Sequence, residues 1–321
     1  MKKLTKYTAF LLLCALSLPA KVFARELIPV GKVVGLELQD DTVTIAAFDE
    51  NLGAAAKAAG VSVGDQIIRI DGSEIRTSED VRTALERSDG TVELSVCRDG
   101  KEKQYSLTPE ITASGPKLGL YLRQGVTGIG TVTYYDPDTG SFGTLGHGVN
   151  DSDGNLLNLV RGYAYDARVL TVRKGRAGDP GQLMGTVDGA SPIGVLSANT
   201  ERGVFGTTQE GWQGEAITVA GADEIKTGAA VIRSTVSGDT VREYSVEILK
   251  IYPKSKQNGR NLLLRVTDPA LLEATGGIVQ GMSGSPIIQD GKLIGAVTHV
   301  LVNDPTTGYG IFIENMLDAA A

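Results

Sequence analysis

Residues 281–286, with the sequence Gly-Met-Ser-Gly-Ser-Pro, are the part of this chain best suited to do chemistry. A turn of small residues there displays Ser283 and is followed by Pro286 and two isoleucines. A nucleophilic serine requires such a turn, because its oxygen must project from a sharp bend while preceding backbone N–H groups converge on the developing oxyanion. Glycines on either side leave room for a carbonyl carbon to approach. Ser283 is therefore the predicted nucleophile.

Two alternatives compete with this interpretation of the turn. Gly/Ser turns between strands are common, so the segment could be an ordinary hairpin. Ser285 is a second hydroxyl, but it precedes Pro286, which biases its backbone toward an extended conformation and away from a tight elbow. We therefore prefer Ser283, and by analogy the backbone amides of Gly281 and Ser283 would form the oxyanion hole.

Histidine is scarce, with two in the whole chain. His147 is flanked by glycines in Gly-Thr-Leu-Gly-His-Gly-Val (143–149) and follows a strand-like run at 130–135. Ser283 comes 136 residues later (283 minus 147). This order fits chymotrypsin-like enzymes, in which the two β-barrels contribute one residue each. His147 is the predicted general base.

The second imidazole, His299, lies in the strand-like run Gly-Ala-Val-Thr-His-Val (295–300), shortly after the serine turn. It could simply pack within its strand. In trypsin-like folds, however, the strand after the nucleophile borders the pocket for the substrate residue that precedes the scissile bond. His299 could therefore form a specificity pocket and hydrogen-bond a Glu or Gln side chain.

The acid that would orient the histidine is the least defined of the predicted site residues. Asp268, in Val-Thr-Asp-Pro, preserves the order His, Asp, Ser but lies only 15 residues before the serine (283 minus 268). It could instead cap a turn that opens at Pro269. Three other aspartates compete on their distance from His147: Asp166, Asp179 and Asp188.

The N-terminus has the pattern of an export signal. Lysines precede an apolar run at 10–18, and Val-Phe-Ala at 22–24 offers a small-residue cleavage site. The run is short for a transmembrane helix. Residues 1–24 are therefore a predicted signal peptide or, alternatively, an uncleaved membrane anchor, and in either case the rest of the chain crosses a membrane.

Composition excludes several classes of function. The formal net charge is −7, and removal of the four lysines in residues 1–24 makes it −7 − 4 = −11, which argues against a nucleic-acid partner. Of the two cysteines, Cys14 lies in the export segment, so a mature chain has no intramolecular disulfide, and Cys97 lies mid-strand. No Cys/His cluster indicates a metal site, and the predicted chemistry needs no cofactor.

Residues 28–109 resemble a PDZ domain of the type found in secreted bacterial proteases. The resemblance rests on Gly-Val-Ser-Val-Gly-Asp-Gln-Ile-Ile-Arg-Ile-Asp-Gly at 60–72, followed by a helix with Val81 and Leu85 on its apolar face. It implies a peptide groove lined by Val81 and Leu85, with Val34-Gly35-Leu36 as the carboxylate loop. The usual Gly-Leu-Gly-Phe form is absent, so both free C-termini and internal segments remain candidate ligands. A purely structural module is the alternative.

Residues 110–117 form a predicted linker, because Pro109, Gly115 and Pro116 interrupt both helix and strand patterns. From 118 to 321, short strand-like runs separated by Gly or Asp/Asn turns indicate a β-sandwich or a pair of β-barrels. The fold class is therefore mainly β, with a PDZ-like domain followed by a chymotrypsin/trypsin-like double β-barrel.

These motifs together closely resemble the stage IV sporulation protein B (SpoIVB) peptidases of spore-forming Firmicutes. The resemblance extends from about residue 28 to Met316 and is most specific in Thr-Gly-Gly-Ile-Val-Gln-Gly-Met-Ser-Gly-Ser-Pro (275–286). It implies that Ser283, His147 and Asp268 form the catalytic triad. Gly148 departs from the family, which often has a bulkier residue after the histidine.

The resemblance implies a signalling endopeptidase exported from the forespore into the space between its two membranes. It would cleave a membrane-bound regulator of an intramembrane metalloprotease, which then activates a mother-cell sigma factor, and it would also cleave itself. Two alternatives remain: an inactive PDZ-bearing envelope adaptor, and a general exported quality-control protease. The order of PDZ domain before protease favours the signalling role.

Overall fold

The computed structural model describes residues 25–151, 154–189, 191–253 and 259–321. The predicted export segment, residues 1–24, lies outside the described residues. The described chain is mainly β, as the sequence predicted, and its helices are short. None of these helices combines the length and apolarity needed to cross a membrane.

The N-terminal part of the chain contributes strands to two different sheets. Its elements, in chain order, are β1 (Glu26–Pro29), β2 (Val33–Gln39), β3 (Val43–Phe48), α1 (Ala54–Ala58), β4 (Gln66–Ile70), β5 (Ser73–Glu74), α2 (Ser78–Glu86), β6 (Val92–Arg98), β7 (Lys101–Leu107), β8 (Glu110–Thr112), β9 (Gly115–Lys117) and β10 (Leu120–Arg123). Strands β10-β3-β4-β6-β7 form one antiparallel sheet in that order, with β5 paired to β4. Val81 and Leu85 of α2 pack on its apolar face, so this sheet and helix are the PDZ domain.

The middle of the chain builds the first barrel. Its strands are β11 (Val126–Asp136), β12 (Ser141–Thr144), β13 (Arg161–Arg173), β14 (Gln182–Val187), β15 (Gly194–Thr200), β16 (Gly203–Thr207) and β17 (Ile217–Thr218). Pairing runs β2-β11-β12-β16-β15-β13 and returns from β13 to β2, which closes a ring of six strands. Its interior holds Val34, Leu36, Leu38, Val132 and Phe142, all buried.

The structure therefore divides the chain differently from the predicted boundaries of 28, 109 and 118. Strand β2 belongs to the first barrel and β1 pairs with its strand β11, so the PDZ domain is inserted between β2 and β11. The predicted linker 110–117 contains the β8–β9 hairpin, and β10, which was expected to begin the protease, is an edge strand of the PDZ sheet. The apolar run Val-Val-Gly-Leu-Glu-Leu at 33–38 fits either sheet, and only its long-range pairing decides between them.

The C-terminal part forms the second barrel. Its elements are β18 (Gly228–Thr235), β19 (Val241–Ile251), β20 (Leu262–Val266), α3 (Pro269–Thr275), β21 (Pro286–Gln289), β22 (Lys292–Leu301), β23 (Asp304–Phe312) and α4 (Ile313–Ala320). The six strands close in the order β18-β19-β20-β23-β22-β21. The serine turn connects α3 to β21 and therefore emerges from this barrel, whereas His147 follows β12 of the first.

Candidate active site

The histidine is held by the turn that follows β12. The Thr144 hydroxyl donates to the Thr131 carbonyl, and Leu145 has a left-handed backbone with φ 67°. The Nδ1 atom of His147 lies 2.9 Å from the Gly148 carbonyl oxygen. Because a carbonyl only accepts, Nδ1 carries the proton and Nε2 keeps its lone pair. This is the tautomer that a general base needs.

The serine turn is fixed against the first barrel by Thr131. The Thr131 N–H donates to the Ser283 carbonyl at 3.0 Å, and its hydroxyl donates to the Gly281 carbonyl at 2.8 Å. Ser285, the competing hydroxyl, is completely buried and donates to the Ser234 hydroxyl at 3.0 Å. Ser283 is only partly buried and lines a cavity, so it is the hydroxyl of this turn that a substrate can reach.

His147 and Ser283 line the same cavity, whose volume is about 450 Å³. The structure thus brings together the two predicted residues from opposite barrels. The Ser283 hydroxyl donates to the Thr298 carbonyl at 2.8 Å, so in this state its proton is not donated to His147. Most of the remaining lining is aliphatic and includes Leu36, Leu38, Val126, Ile129, Leu145, Val149, Ile278, Val279, Val300 and Val302.

The two predicted oxyanion amides are available in this structure. Within the described part of the chain, the N–H groups of Gly281 and Ser283 donate to no backbone or side-chain acceptor. Both residues line the cavity. An oxyanion needs donors that no protein group already occupies, and these two amides meet that condition.

Asp268 lies outside the cavity that His147 and Ser283 line. One of its carboxylate oxygens accepts the N–H groups of Ala270 and Leu271 at 2.9 and 3.1 Å, and the other accepts the Ser245 N–H at 3.3 Å. It therefore caps α3, as the alternative interpretation of Asp-Pro proposed. Asp268 does not line the cavity, and the structure does not bring it to His147.

The three rival aspartates are also engaged away from the histidine. Asp166 accepts from Lys32 at 2.7 Å, Asp179 pairs with Arg173 at 2.6 Å, and Asp188 pairs with Arg168 at 3.3 Å. No carboxylate among the described residues lines the cavity. The structure therefore offers His147 a backbone carbonyl as its orienting acceptor.

His299 lies beside the predicted base. The His147 and His299 rings have centroids 5.3 Å apart, and both line the cavity. The Nδ1 atom of His299 is buried and has no hydrogen-bond partner among the described residues. Burial, together with the nearby charge of a protonated His147, lowers the pKa of His299 to about 4. His299 is therefore uncharged at neutral pH.

Burial also lowers the pKa of His147 below its ordinary value of 6.5, although the Gly148 carbonyl opposes this shift. A general base works only when unprotonated, so activity should fall as the pH drops through the depressed pKa. We expect the acid limb of kcat/KM, which reports the free enzyme, to have its inflection below 6.5. Steady-state cleavage of a peptide across this limb measures it, and an inflection above the ordinary value would contradict the burial argument.

One wall of the PDZ groove is formed by the predicted residues, and the other wall is formed by different residues. Val81 and Leu85 line it as expected, but Val34, Gly35 and Leu36 pair with β11 and β13 in the first barrel. This part of the prediction is wrong, because those residues lie in a barrel strand. The facing wall is instead the segment 116–122, and the cavity between it and α2 has a volume of about 340 Å³.

The segment 116–122 places a tight turn directly before the edge strand β10. Gly119 has φ 67° and its carbonyl accepts the Asp49 N–H at 2.9 Å, and an added Cβ would lie 2.2 Å from the Leu52 carbonyl carbon. Only glycine fits there. The sequence signal for this wall was Leu-Gly-Leu at 118–120, an apolar-Gly-apolar turn before a strand, which the linker prediction overlooked.

Two closed six-stranded barrels with a histidine from one and a serine from the other, facing one cavity, define a trypsin-like serine protease. The family comparison agrees. The SpoIVB peptidase S55 family matches residues 115–317, well over half of the chain, and a PDZ domain family matches residues 34–108. The chain belongs to the SpoIVB peptidase S55 family and combines the trypsin-like protease fold with a PDZ domain.

Individual relatives share shorter regions. The chain is 35% identical over 99 residues to Atu1380 of Agrobacterium fabrum and 33% identical over 100 residues to R01501 of Rhizobium meliloti, both named as zinc metalloproteases. These regions cover 30% and 31% of this chain. The chain spans about a quarter of the length of those relatives, 25% and 26%.

Solved structures with similarity include the Rv3671c protease of M. tuberculosis in its active form. It is 15% identical, with 61% of this chain and 73% of that chain covered and a TM-score of 0.36. The PDZ domain of the SdrC-like protein Lmo2051 from Listeria monocytogenes is 23% identical, with 26% and 87% covered and a TM-score of 0.22.

Proposed function

We propose that this endopeptidase acts in sporulation signalling by cleaving a membrane-bound regulator of an intramembrane metalloprotease, and by cleaving itself. The observation that carries the enzymatic part is the shared cavity of His147 and Ser283. Membership in the SpoIVB family supports the choice of pathway. The export-type N-terminus supports a location between the two forespore membranes, where the N-terminal segment could also anchor the enzyme.

Catalysis begins when the Ser283 hydroxyl turns from the Thr298 carbonyl toward Nε2 of His147. His147 takes the proton while the seryl oxygen attacks a peptide carbonyl carbon. The amides of Gly281 and Ser283 receive the oxyanion. His147 then protonates the leaving amine, and water repeats the sequence on the acyl-enzyme. No metal or organic cofactor enters these steps.

The aliphatic lining of the cavity supports an apolar side chain next to the scissile bond. Burial of such a side chain contributes on the order of 2 kcal/mol to substrate binding. His299 lines this wall, and its imidazole could bond a Gln or Glu side chain, as the sequence suggested.

The PDZ groove supports a second contact with the substrate or with another copy of the enzyme. Strand β10 pairs only with β3 among the described strands, so its other edge can accept an extended peptide as an added strand. Leu118, Leu120 and Leu122, together with Val81 and Leu85, provide the apolar wall. The turn at 117–119 would receive the peptide terminus.

Complementation in a spore-forming host that lacks the endogenous enzyme tests the proposal. Wild-type protein should restore mother-cell sigma activity and lose its N-terminal segment, as read by mass spectrometry. Ser283→Ala should do neither, while Ser285→Ala, which changes the neighbouring buried hydroxyl, should restore signalling. Restored sigma activity with Ser283→Ala would refute the proteolytic role.

A further inference from the structure

We propose that Glu37 forms a substrate subsite beside the catalytic cavity, and that this subsite takes a lysine or arginine side chain of the substrate. The inference deepens the proposed function, because it names a class of substrate, and it depends on the chemistry of Ser283 and His147. It starts from a second cavity, with a volume of about 350 Å³, that has Glu37 in its wall and shares lining residues with the catalytic cavity.

The second cavity follows from the alternation of side chains along β2. The residues at 34, 36 and 38 are buried in the core of the first barrel, so Gly35 and Glu37 face the other side of the sheet. Gly35 pairs with Ile129 of β11 and with Tyr165 of β13, whose side chains stand on either side of it. Because Gly35 has no side chain, a depression remains between them. Val187 of β14 closes one end, since an added Cβ at Gly35 would lie 2.6 Å from its Cγ2 atom.

The two cavities meet at strand β11. Leu36, Gly128 and Ile129 line both of them. Gly128 has no atom within 4 Å of the position of an added Cβ, and it carries no side chain that would separate the cavities. Further along the same strand, the Thr131 N–H donates to the Ser283 carbonyl. An extended substrate advances about 3.3 Å per residue, so a peptide bound at Ser283 reaches the second cavity within about two or three residues of the scissile bond.

Glu37 brings an unbalanced negative charge to this cavity. Its Oε2 accepts the Tyr165 hydroxyl at 2.9 Å, and its Oε1 accepts the Gln39 side-chain amide at 2.6 Å. Both donors are neutral, because burial and then this hydrogen bond raise the pKa of Tyr165 and keep its hydroxyl protonated at neutral pH. No lysine or arginine lines the cavity, and Glu37 forms no ion pair within the described part of the chain. A carboxylate has about four acceptor positions, so Glu37 can accept further hydrogen bonds.

The carboxylates next in sequence to the other wall residues are already paired with cations. Asp166 accepts from Lys32, and Asp188 pairs with Arg168. Glu37 is therefore the carboxylate that a basic ligand would meet in this cavity. The stem of a lysine or arginine would pack on the apolar wall while its charged head forms charge-assisted hydrogen bonds with Glu37. The net charge of the chain, −7, also attracts basic segments of a substrate.

Paired peptides separate the charge of the substrate side chain from its shape. The probe is a quenched fluorogenic peptide with an apolar residue at the scissile bond, in which lysine or the uncharged norleucine is placed in turn at each position on either side. At the position that meets Glu37, we expect the kcat/KM of the wild-type enzyme to be about tenfold or more higher for lysine. This preference should weaken as the salt concentration rises. Glu37→Gln keeps the shape of the side chain and should make the two peptides equivalent.

Two further variants control for structural effects. Glu37→Lys should reverse the preference in favour of glutamate at the same position, which the loss of a merely structural contact would not do. Glu247→Gln makes the matched change at an exposed carboxylate of β19, on the second barrel, and should keep the wild-type preference. Thermal melting shows which variants are folded, and Glu37→Gln alone decides if Glu37→Lys is not.

Two results would overturn the inference. One is equal cleavage of the lysine and norleucine peptides by the wild-type enzyme at every position. The other is a folded Glu37→Gln enzyme that keeps the preference for lysine. A wild-type enzyme that cleaves none of the peptides would instead count against the proposed function, on which the inference depends.

Discussion

Ser283→Ala is expected to lower kcat for peptide cleavage by about 10⁴-fold or more while the protein stays folded. The side chain is partly buried, and its hydroxyl makes one hydrogen bond within the described parts of the chain, to the Thr298 carbonyl. Its removal eliminates the nucleophile and leaves the barrel contacts intact, so the Tm should change little. Turnover of a fluorogenic peptide and labelling by a fluorophosphonate probe measure the effect.

Ser285→Ala is the matched control, because it removes the same group two residues away. Its hydroxyl bonds Ser234 inside the core. Loss of that buried bond should cost about 1–3 kcal/mol of stability, because the Ser234 hydroxyl loses its partner, with kcat nearly unchanged. Probe labelling that persists in Ser283→Ala and disappears in Ser285→Ala would reverse the assignment of the nucleophile.

Gly284→Ala is expected to destabilise the protein by about 2–6 kcal/mol and to lower kcat by about 100-fold. Gly284 has φ 95°, and an added Cβ would lie 2.0 Å from the Thr131 carbonyl oxygen and 2.6 Å from the Leu145 nitrogen. Both neighbours are backbone atoms of the first barrel, so the serine turn would be pushed away from the strand that precedes His147. Denaturant unfolding and peptide turnover measure the two effects.

Gly291→Ala controls for backbone strain alone. Gly291 has a similar φ of 76° but no atom within 4 Å of the added Cβ. It should cost only about 1–2 kcal/mol and leave kcat unchanged. Equal losses in the two variants would show that strain, and not the contact between barrels, accounts for the effect at Gly284.

The sequence was sufficient for features that depend on local patterns. The PDZ domain and the barrel pair are confirmed, because short apolar runs with turn residues between them specify strands wherever they occur. The partners of those strands are not local. The apolar runs of β2 and β10 are compatible with either sheet. The prediction placed β2 in the PDZ domain and β10 in the protease, whereas the structure places β2 in the first barrel and β10 in the PDZ sheet.

The prediction of the site residues was limited in the same way, because the contacts of a side chain are not local in the sequence. Ser283 and His147 could be predicted because serine and histidine in such turns are typical of only a few kinds of chemistry. Asp268 illustrates what a motif leaves undetermined: an Asp before a Pro serves as well in capping a helix as in orienting an imidazole. Thr131, whose hydrogen bonds hold the serine turn, had no signal, because a threonine within a strand is ordinary.

The insertion of the PDZ domain between β2 and β11 has a consequence for truncation. Leu38 and Val126 are paired neighbours in the first barrel, so the module leaves and rejoins the protease at almost the same point. A fragment that begins at residue 118 would lack strand β2. The ring of six strands would then be open, and its core would be exposed to water. Excision of residues 40–124, with a tight turn joining the two ends, would keep the ring complete. In this enzyme the PDZ domain takes the place of the loop that would join two paired barrel strands, and the protease domain is made of two separate stretches of the chain.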